Sequence, residues 1–392
     1  MILQFLYLRK NEGRLNYCER LASGAGESNG NYLRHTLLKP VEALLEKLPK
    51  TFMHPTDVLD SSTPFSNNGG TSDSILTYSM KYLITGGAGF IGSNLARFIL
   101  DQGHEVIVLD DFSAGKRENL TEILDKITLI EGDIRHRTTL DHSVQGVSAI
   151  FHQAALASVP ASVADPVTAH DVNVNGTINV LESARATGIK RVVFAASSAA
   201  YGDNPRSPKL ETMCPMPISP YAANKIAGEY YLQAYAAAYK METVCLRYFN
   251  VFGPRQDPFG AYAAVIPAFV INILRKQRPQ VFGDGEQTRD FCYIENVCPA
   301  NWIAAHAPAE QCNGSPINIA CGTAVSLNQI LEKLKSLMKS DIQADYLPPR
   351  VGDIKHSLAD VSLAKEVIGY TPLVYFDEGL ERAINWYTEN LC

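Results

Sequence analysis

The eight cysteines of this chain include no Cys-x-x-Cys pair and no grouping with histidine at metal-ligand spacing. That excludes a zinc ribbon or a redox dithiol; most of the cysteines are expected to be small buried apolar residues in a reducing cytoplasm, and no metal is expected. A long basic run is missing as well, with 35 Lys and Arg set against 41 Asp and Glu, a formal charge of -6. A nucleic-acid partner would demand a basic face, so none is expected. Met1–Leu8 is apolar but too short to span a bilayer, and Arg9, Lys10 and Glu12 follow it without a small-residue cleavage site. Neither a membrane span nor a signal peptide is read. What the chain does have is size and apolar content. Its 392 residues, 46% of them hydrophobic, bury a large core and exceed the usual single domain.

Residues 1–79 differ in character from the rest. Val41 to Leu48 has the spacing of a short amphipathic helix, and Ser61 to Ser74 is rich in Ser, Asn, Gly and Thr, the composition of a flexible linker. This stretch is expected to be an extension whose deletion leaves folding and activity intact, with Met80 standing directly before the first strand. From there β-rich runs alternate with helical patterns: Lys81 to Thr85, Val106 to Leu109, Ile127 to Glu131, Ala149 to His152, Arg191 to Ala196 and Thr243 to Arg247. Such alternation predicts parallel βαβ units and an α/β, doubly wound parallel sheet over residues 80–250. Beyond Asn250 the pattern is irregular, with helices predicted near Ile266 to Arg275, Leu327 to Met338 and Asp377 to Glu389. A smaller C-terminal lobe over residues 251–392 is expected.

The organising stretch is Met80 to Gly103. A β-rich run is followed by Gly86, Gly89 and Gly92, then by Leu95, Phe98 and Ile99 at helical spacing over Ser93 to Gln102. Strand, glycine turn and helix together suit a dinucleotide: a tight turn, a close backbone approach to a pyrophosphate, then close helix packing, with the helix N-terminus facing the phosphates. The second run ends at Asp110 and Asp111, eighteen residues past Gly92, where a carboxylate takes a ribose hydroxyl pair. That carboxylate would repel a 2′-phosphate and no arginine immediately follows it, so NAD is favoured over NADP. Other motifs also fall at strand ends, where ligands gather in such sheets: Asp133 and Ile134, Gln153, Ala154 and Ala155, and Ser197 and Ser198.

Tyr221 and Lys225 open a helix behind Ser219 and Pro220, one turn apart on one face. A free phenol titrates near pH ~10 and is no base at neutral pH. A neighbouring ammonium and a cationic nicotinamide ring would favour the phenolate, with Ser197 or Ser198 sharing the proton.

The glycine turn, the strand-end serines and Tyr221-xxx-Lys225 resemble the extended short-chain dehydrogenase/reductase superfamily from about Lys81 to Tyr387. Four stretches, His152 to Pro160, Arg247 to Pro267, Phe282 to Ile294 and Arg350 to Asp360, look more narrowly like bacterial UDP-N-acetylglucosamine 4-epimerases. The resemblance implies a Rossmann sheet with a UDP-sugar-binding lobe, bound NAD, and catalysis by Ser197, Tyr221 and Lys225. The implied NAD site comprises Gly86, Gly89, Phe90, Ile91, Gly92, Asp110, Asp111, Ser113, Gly115, Asp133, Ile134, Gln153, Ala154, Ala155, Asn173 and Tyr248, with Tyr221 and Lys225 shared. The implied UDP-sugar site comprises Ser198, Asn250, Ala264, Val265, Phe282, Arg289, Arg350, Asp353 and Ser357. Arginine suits a pyrophosphate, an aromatic ring suits uracil, and a carboxylate suits a ribose diol. Cys214, Cys292 and His152 are read as structural. A homodimer is implied, built from the helix at Tyr221 and one at about Pro166 to Thr187, with Tyr231, Leu232, Tyr235 and Tyr239 adding apolar surface.

The implied reaction is transient oxidation at C4 of a UDP-hexose, UDP-GlcNAc to UDP-GalNAc first, with UDP-glucose and UDP-glucuronate as alternatives. Dehydratases of the superfamily place an Asp-Glu pair after the strand-end Ser or Thr. Here Ser198-Ala199-Ala200-Tyr201 occupies that place, which disfavours elimination. A silent NAD-sensing module would not be expected to keep Ser197, Tyr221 and Lys225 together.

Overall fold

The structure, a computed structural model, describes residues 79–259, 263–349 and 355–391. The extension 1–78, with its predicted helix and linker, and the site candidates Arg350 and Asp353 lie outside the described residues.

Seven strands form one parallel sheet: β1 (Lys81–Thr85), β2 (Glu105–Asp110), β3 (Ile127–Glu131), β4 (Ala149–His152), β5 (Arg191–Ser197), β6 (Glu242–Tyr248) and β7 (Asn313–Ile319). The spatial order is β7-β6-β5-β4-β1-β2-β3. The chain winds outward from β1 to β3, then returns to place β4 on the other side of β1. That reversal opens a crevice at the carboxyl ends of β1 and β4, where doubly wound sheets bind ligands. Successive strand residues serve opposite faces: Tyr82 and Ile84 join the layer that runs on to Leu380 and Tyr387, while Leu83, Ile107 and Phe194 pack with Leu232 and Tyr235 on the other side. Covered on both faces, these strands read as near-continuous apolar runs.

The six predicted strands are present with edges moved by a residue at most. The seventh was not legible. β7 reads Asn-Gly-Ser-Pro-Ile-Asn-Ile, and its register shifts between Asn313 and Pro316; glycine and proline are tolerated there because it is an edge strand. The chain after Asn250 therefore completes the main sheet as well as adding the smaller elements. Helix α1 (Phe90–Asp101) starts earlier than its apolar spacing suggested, because Ile91 and Gly92 already lie in its first turn. The helix expected over 166–187 is interrupted: Pro166–His170 runs through a wide π turn at Asp171–Asn175 into α2 (Gly176–Ala186). Inside that turn Asn173 uses its amide to hold the backbone of Leu156, accepting from the N–H at 2.8 Å and donating to the carbonyl at 3.2 Å. The wide turn thus serves the loop after β4.

Helix α3 (Pro220–Tyr239) is capped by Ser219, whose hydroxyl accepts from the Ala222 N–H, with proline at its first position. Leu232 is fully buried and Tyr235 nearly so; they seat α3 on the sheet, and sealing a leucine alone contributes about 1.5–3 kcal/mol. They are core residues, so they do not supply the outer apolar surface expected of them. That surface is made by Tyr230, Tyr231 and Tyr239, with Val163 and Val167 exposed on the short helices packed beside α3.

Candidate active site

At the head of the crevice the chain turns so tightly that only glycine fits. Gly86 has a φ of +69°, and a Cβ there would lie 2.6 Å from the Ala154 nitrogen; one on Gly92 would lie 2.2 Å from the Gly86 carbonyl oxygen. The turn after β1 is thus pressed against the loop after β4, and the N-terminus of α1 emerges from it at Gly89. Asp110 closes the other side. Its Oδ2 accepts from the Ala88 N–H at 2.8 Å and its Oδ1 from the Phe112 N–H at 2.9 Å. Burial pushes this carboxyl up, and those two N–H groups pull it back. Gly115 crosses directly over it, where a Cβ would come within 2.6 Å of Asp110 Oδ1. Asp111 lies on the exposed rim, its Oδ1 taken by the Ser113 N–H and hydroxyl. Backbone brought this close to a helix N-terminus, with a carboxylate at the end of β2, fits the pyrophosphate and ribose of a dinucleotide.

Of the other cofactor candidates, Asp133 pairs with Arg135 at 2.6 Å, and Ile134 packs on Gly176, leaving no room there for a side chain. Gln153 and Tyr248 meet directly, Gln153 Nε2 donating to the Tyr248 hydroxyl at 3.2 Å, and share Asn301: the Tyr248 hydroxyl donates to Asn301 Oδ1 at 2.9 Å, and Gln153 Nε2 donates to the same oxygen at 3.1 Å. Asn301 was missed from sequence, where it is one more polar residue in an alanine-rich helix (Ile294–His306).

β5 ends at Ser197, which caps the short 3-10 turn Ser198–Tyr201 by accepting from the Ala199 N–H at 3.2 Å. The Ser197 hydroxyl also acts on the Tyr221 phenol, drawing it down. Lys225 Nζ, buried one turn further along α3, donates to the Ala195 carbonyl at 2.7 Å and lies 5.9 Å from the centre of the Tyr221 ring. Ser197, Tyr221 and Lys225 are therefore brought together. Their electrostatics differ from the sequence expectation in one respect: burial pushes the Tyr221 phenol up, and it is the Ser197 hydrogen bond, not Lys225, that pulls it down. Burial also lowers Lys225 to about 8, against the field of Glu229, which raises it. Glu229 itself is fully sequestered with Arg247, Oε1 to Nε at 2.8 Å and Oε2 to Nη2 at 2.7 Å, the guanidinium lying 4.7 Å over the Tyr201 ring. This pair was not read from sequence, though two signals were there: Glu229 sits four residues past Lys225, and Arg247 is a charge inside an apolar strand.

His152 bridges the Thr85 and Thr177 hydroxyls at 2.7 and 2.9 Å and is lowered to about 3 by burial and by Lys225, a neutral structural residue. Cys292 is buried beside the Tyr370 hydroxyl and Cys214 is exposed. No group of metal-ligating side chains occurs among the described residues, and no described helix is long and apolar enough to cross a membrane.

The remaining candidates lie on the elements after β5 and β6. Asn250, at a strained φ of +26°, donates from Nδ2 to the Asp290 carbonyl at 3.1 Å. Arg289 lies in the strand Thr288–Asp290, and Ser357 is its direct partner in the neighbouring parallel strand. These three are thus brought together. Phe282 ends a separate short strand whose carbonyl is held by Gln287, and Ala264 and Val265 open the helix Val265–Leu274. Ser198 begins the 3-10 turn.

The sequence pattern of the NAD dependent epimerase/dehydratase family matches residues 82–320. A UDP-glucose 4-epimerase of Mycolicibacterium smegmatis is 37% identical over 317 residues, 79% of this chain and 98% of that one. Among solved structures, a UDP-N-acetylglucosamine 4-epimerase of Methanobrevibacter ruminantium in complex with UDP-N-acetylmuramic acid is 39% identical, with a TM-score of 0.76 over 80% of this chain and 99% of that one. A UDP-glucose 4-epimerase of Thermotoga maritima with UDP-glucose is 36% identical, with a TM-score of 0.76 over 80% of this chain and all of that one. A glycine cradle at the switch point, a Ser-Tyr-Lys cluster at the end of β5 and a match spanning the whole sheet lead to one conclusion: the chain belongs to the NAD dependent epimerase/dehydratase family, and its cofactor is NAD.

Proposed function

We propose that this protein is a UDP-hexose 4-epimerase that interconverts UDP-GlcNAc and UDP-GalNAc. The observation that carries the reaction is the cluster of Ser197, Tyr221 and Lys225 one strand away from the dinucleotide cradle. In this reading Gly86 to Gly92 hold the pyrophosphate of NAD, and Asp110 and Asp111 hold its ribose. Bound NAD supplies the acceptor for the C4 hydride and afterwards returns it. Tyr221 takes the proton of the C4 hydroxyl as the ketone forms and gives it back on the return. Ser197 steadies the phenolate, since a hydrogen bond to the charged form favours it. Lys225, lowered to about 8 by burial and held up by Glu229, still carries its proton at neutral pH and adds positive charge where the phenolate develops. The turn Ser198–Tyr201 carries no carboxylate, so elimination at C5 and C6 has no acid or base there and inversion is the outcome.

The substrate half rests on Asn250, Phe282, Arg289, Arg350 and Asp353 for the UDP group. Preference for the acetamido sugar rests on Ser357, a small side chain beside Arg289 where a larger one would fill the space of an N-acetyl group. Incubating the purified protein separately with UDP-GlcNAc, UDP-glucose and UDP-glucuronate is expected to yield the 4-epimer fastest from the first. A protein that epimerises only the other two would refute the preference and keep the reaction. The exposed Tyr230, Tyr231, Tyr239, Val163 and Val167 support a homodimer through α3 and the short helices beside it. Light scattering at micromolar concentration is expected to give twice the chain mass; a monomer would contradict it.

A further inference from the structure

Asp290 has no assigned role in the chemistry just described, yet it is fully buried beside the residues proposed to hold UDP. Its carboxylate gathers backbone from two separate segments. Oδ1 accepts from the Cys321 N–H at 3.0 Å, and Oδ2 accepts from Gly322 at 3.0 Å and Ala359 at 3.2 Å. Its carbonyl accepts the Asn250 side chain. Its own strand pairs on one side with Ala324–Ser326 and on the other with His356–Ser357. Asn250, Arg289 and Ser357 arrive from three distant parts of the sequence and meet at Asp290: Asn250 bonds its main-chain carbonyl, Arg289 precedes it in the strand, and Ser357 lies two residues before Ala359, whose N–H the carboxylate holds.

We propose that Asp290 is a positioning residue for the nucleotide half of the substrate: it fixes the turn at Asn250, the strand of Arg289 and the segment of Ser357 in one geometry that receives a uridine diphosphate. The three bonds to its carboxylate, from Cys321, Gly322 and Ala359, need an acceptor-only group. A carboxylate offers about four lone-pair sites to N–H donors, whereas an amide of the same shape offers two and turns a donor toward the others. Asp290→Asn therefore breaks the clamp while preserving volume. The NAD cradle, built on β1, β2 and β4, shares none of these bonds.

The inference rests on the proposed UDP-sugar function, and the test separates the two. UDP binding is measured by calorimetry on the NAD-loaded protein, with cofactor content measured alongside. No UDP binding by the unaltered protein would overturn the functional reading itself. Given binding, Asp290→Asn is expected to weaken UDP about tenfold with NAD content unchanged, and to raise KM for the UDP-sugar while kcat at saturation stays within about threefold. Gly322→Ala is the milder arm and guards against a variant that does not fold. Its Cβ would meet nothing closer than 3.7 Å, but its φ of +70° disfavours alanine and so the turn that aims its N–H at Asp290. A threefold to fivefold loss of UDP affinity is expected there. UDP affinity unchanged in a folded variant, or NAD lost in parallel with UDP, would overturn the role of Asp290.

Discussion

Replacing Tyr221 with phenylalanine is expected to leave a folded, NAD-loaded protein whose turnover is down about a thousandfold. The ring stays, so the packing at the start of α3 stays, along with the Ser219 cap and the bond from the Tyr221 N–H to Ser162 Oγ at 3.0 Å. Only the hydroxyl is removed, and with it the group that Ser197 holds. General acid-base catalysis contributes roughly 10²–10⁴-fold, and a thousandfold loss corresponds to about 4 kcal/mol in the barrier. In the proposed site the glycine turn and Asp110, not the phenol hydroxyl, hold the cofactor's phosphates and ribose, so NAD released on denaturation should match the parent. Because burial alone pushes the phenol up, it is reactive only where positive charge is supplied next to it. Steady-state rates with the cofactor content of each preparation check this. A variant that retains more than about a tenth of the parent kcat would move the base elsewhere.

The second large effect is a selective one. Ser357→Tyr is expected to lower turnover of the UDP-GlcNAc and UDP-GalNAc pair by roughly tenfold to a hundredfold while leaving UDP-glucose and UDP-galactose within about threefold. Ser357 is nearly buried in a short strand whose register is fixed against Arg289, and in the proposed substrate site a larger side chain there takes the volume of the C2 substituent. Overlap in a packed site costs about 1–3 kcal/mol, which is the source of that range. An acetamido group needs the volume and a C2 hydroxyl does not. Competition between the two sugar pairs in one reaction gives the ratio directly. Equal losses on both pairs would show that the substitution damaged the strand.

How much of this was legible in the sequence follows from how local each signal is. The glycine turn, the strand ends and Tyr221 with Lys225 are set by spacing within a few residues, and the structure brings them to one crevice. The runs of β1, β2 and β4 to β6 are buried and dense in apolar residues, and these, with the half-exposed edge strand β3, were read nearly to their ends. β7 was not, because its Gly314 and Pro316 look like a turn until a sheet edge tolerates them. Leu232 and Tyr235 were read as outward because helical spacing alone does not say which apolar face meets the sheet. Asp290, Glu229 with Arg247, and Asn301 were missed for a different reason. Their partners are backbone groups or side chains many residues away, and a buried polar group declares itself only when those partners are in place.

In the proposed reaction C4 is oxidised and reduced again within one site, with no exchange with solvent and no elimination. UDP-GlcNAc carrying deuterium at C4, incubated with the protein in ordinary water without added reductant, tests it most directly by mass and proton spectra of the products. UDP-GalNAc with the deuterium still on C4 is the expected product, with the equilibrium mixture reached from either epimer. Unchanged UDP-GlcNAc, an epimer with hydrogen in place of the label, or a 4-keto-6-deoxy sugar would contradict it.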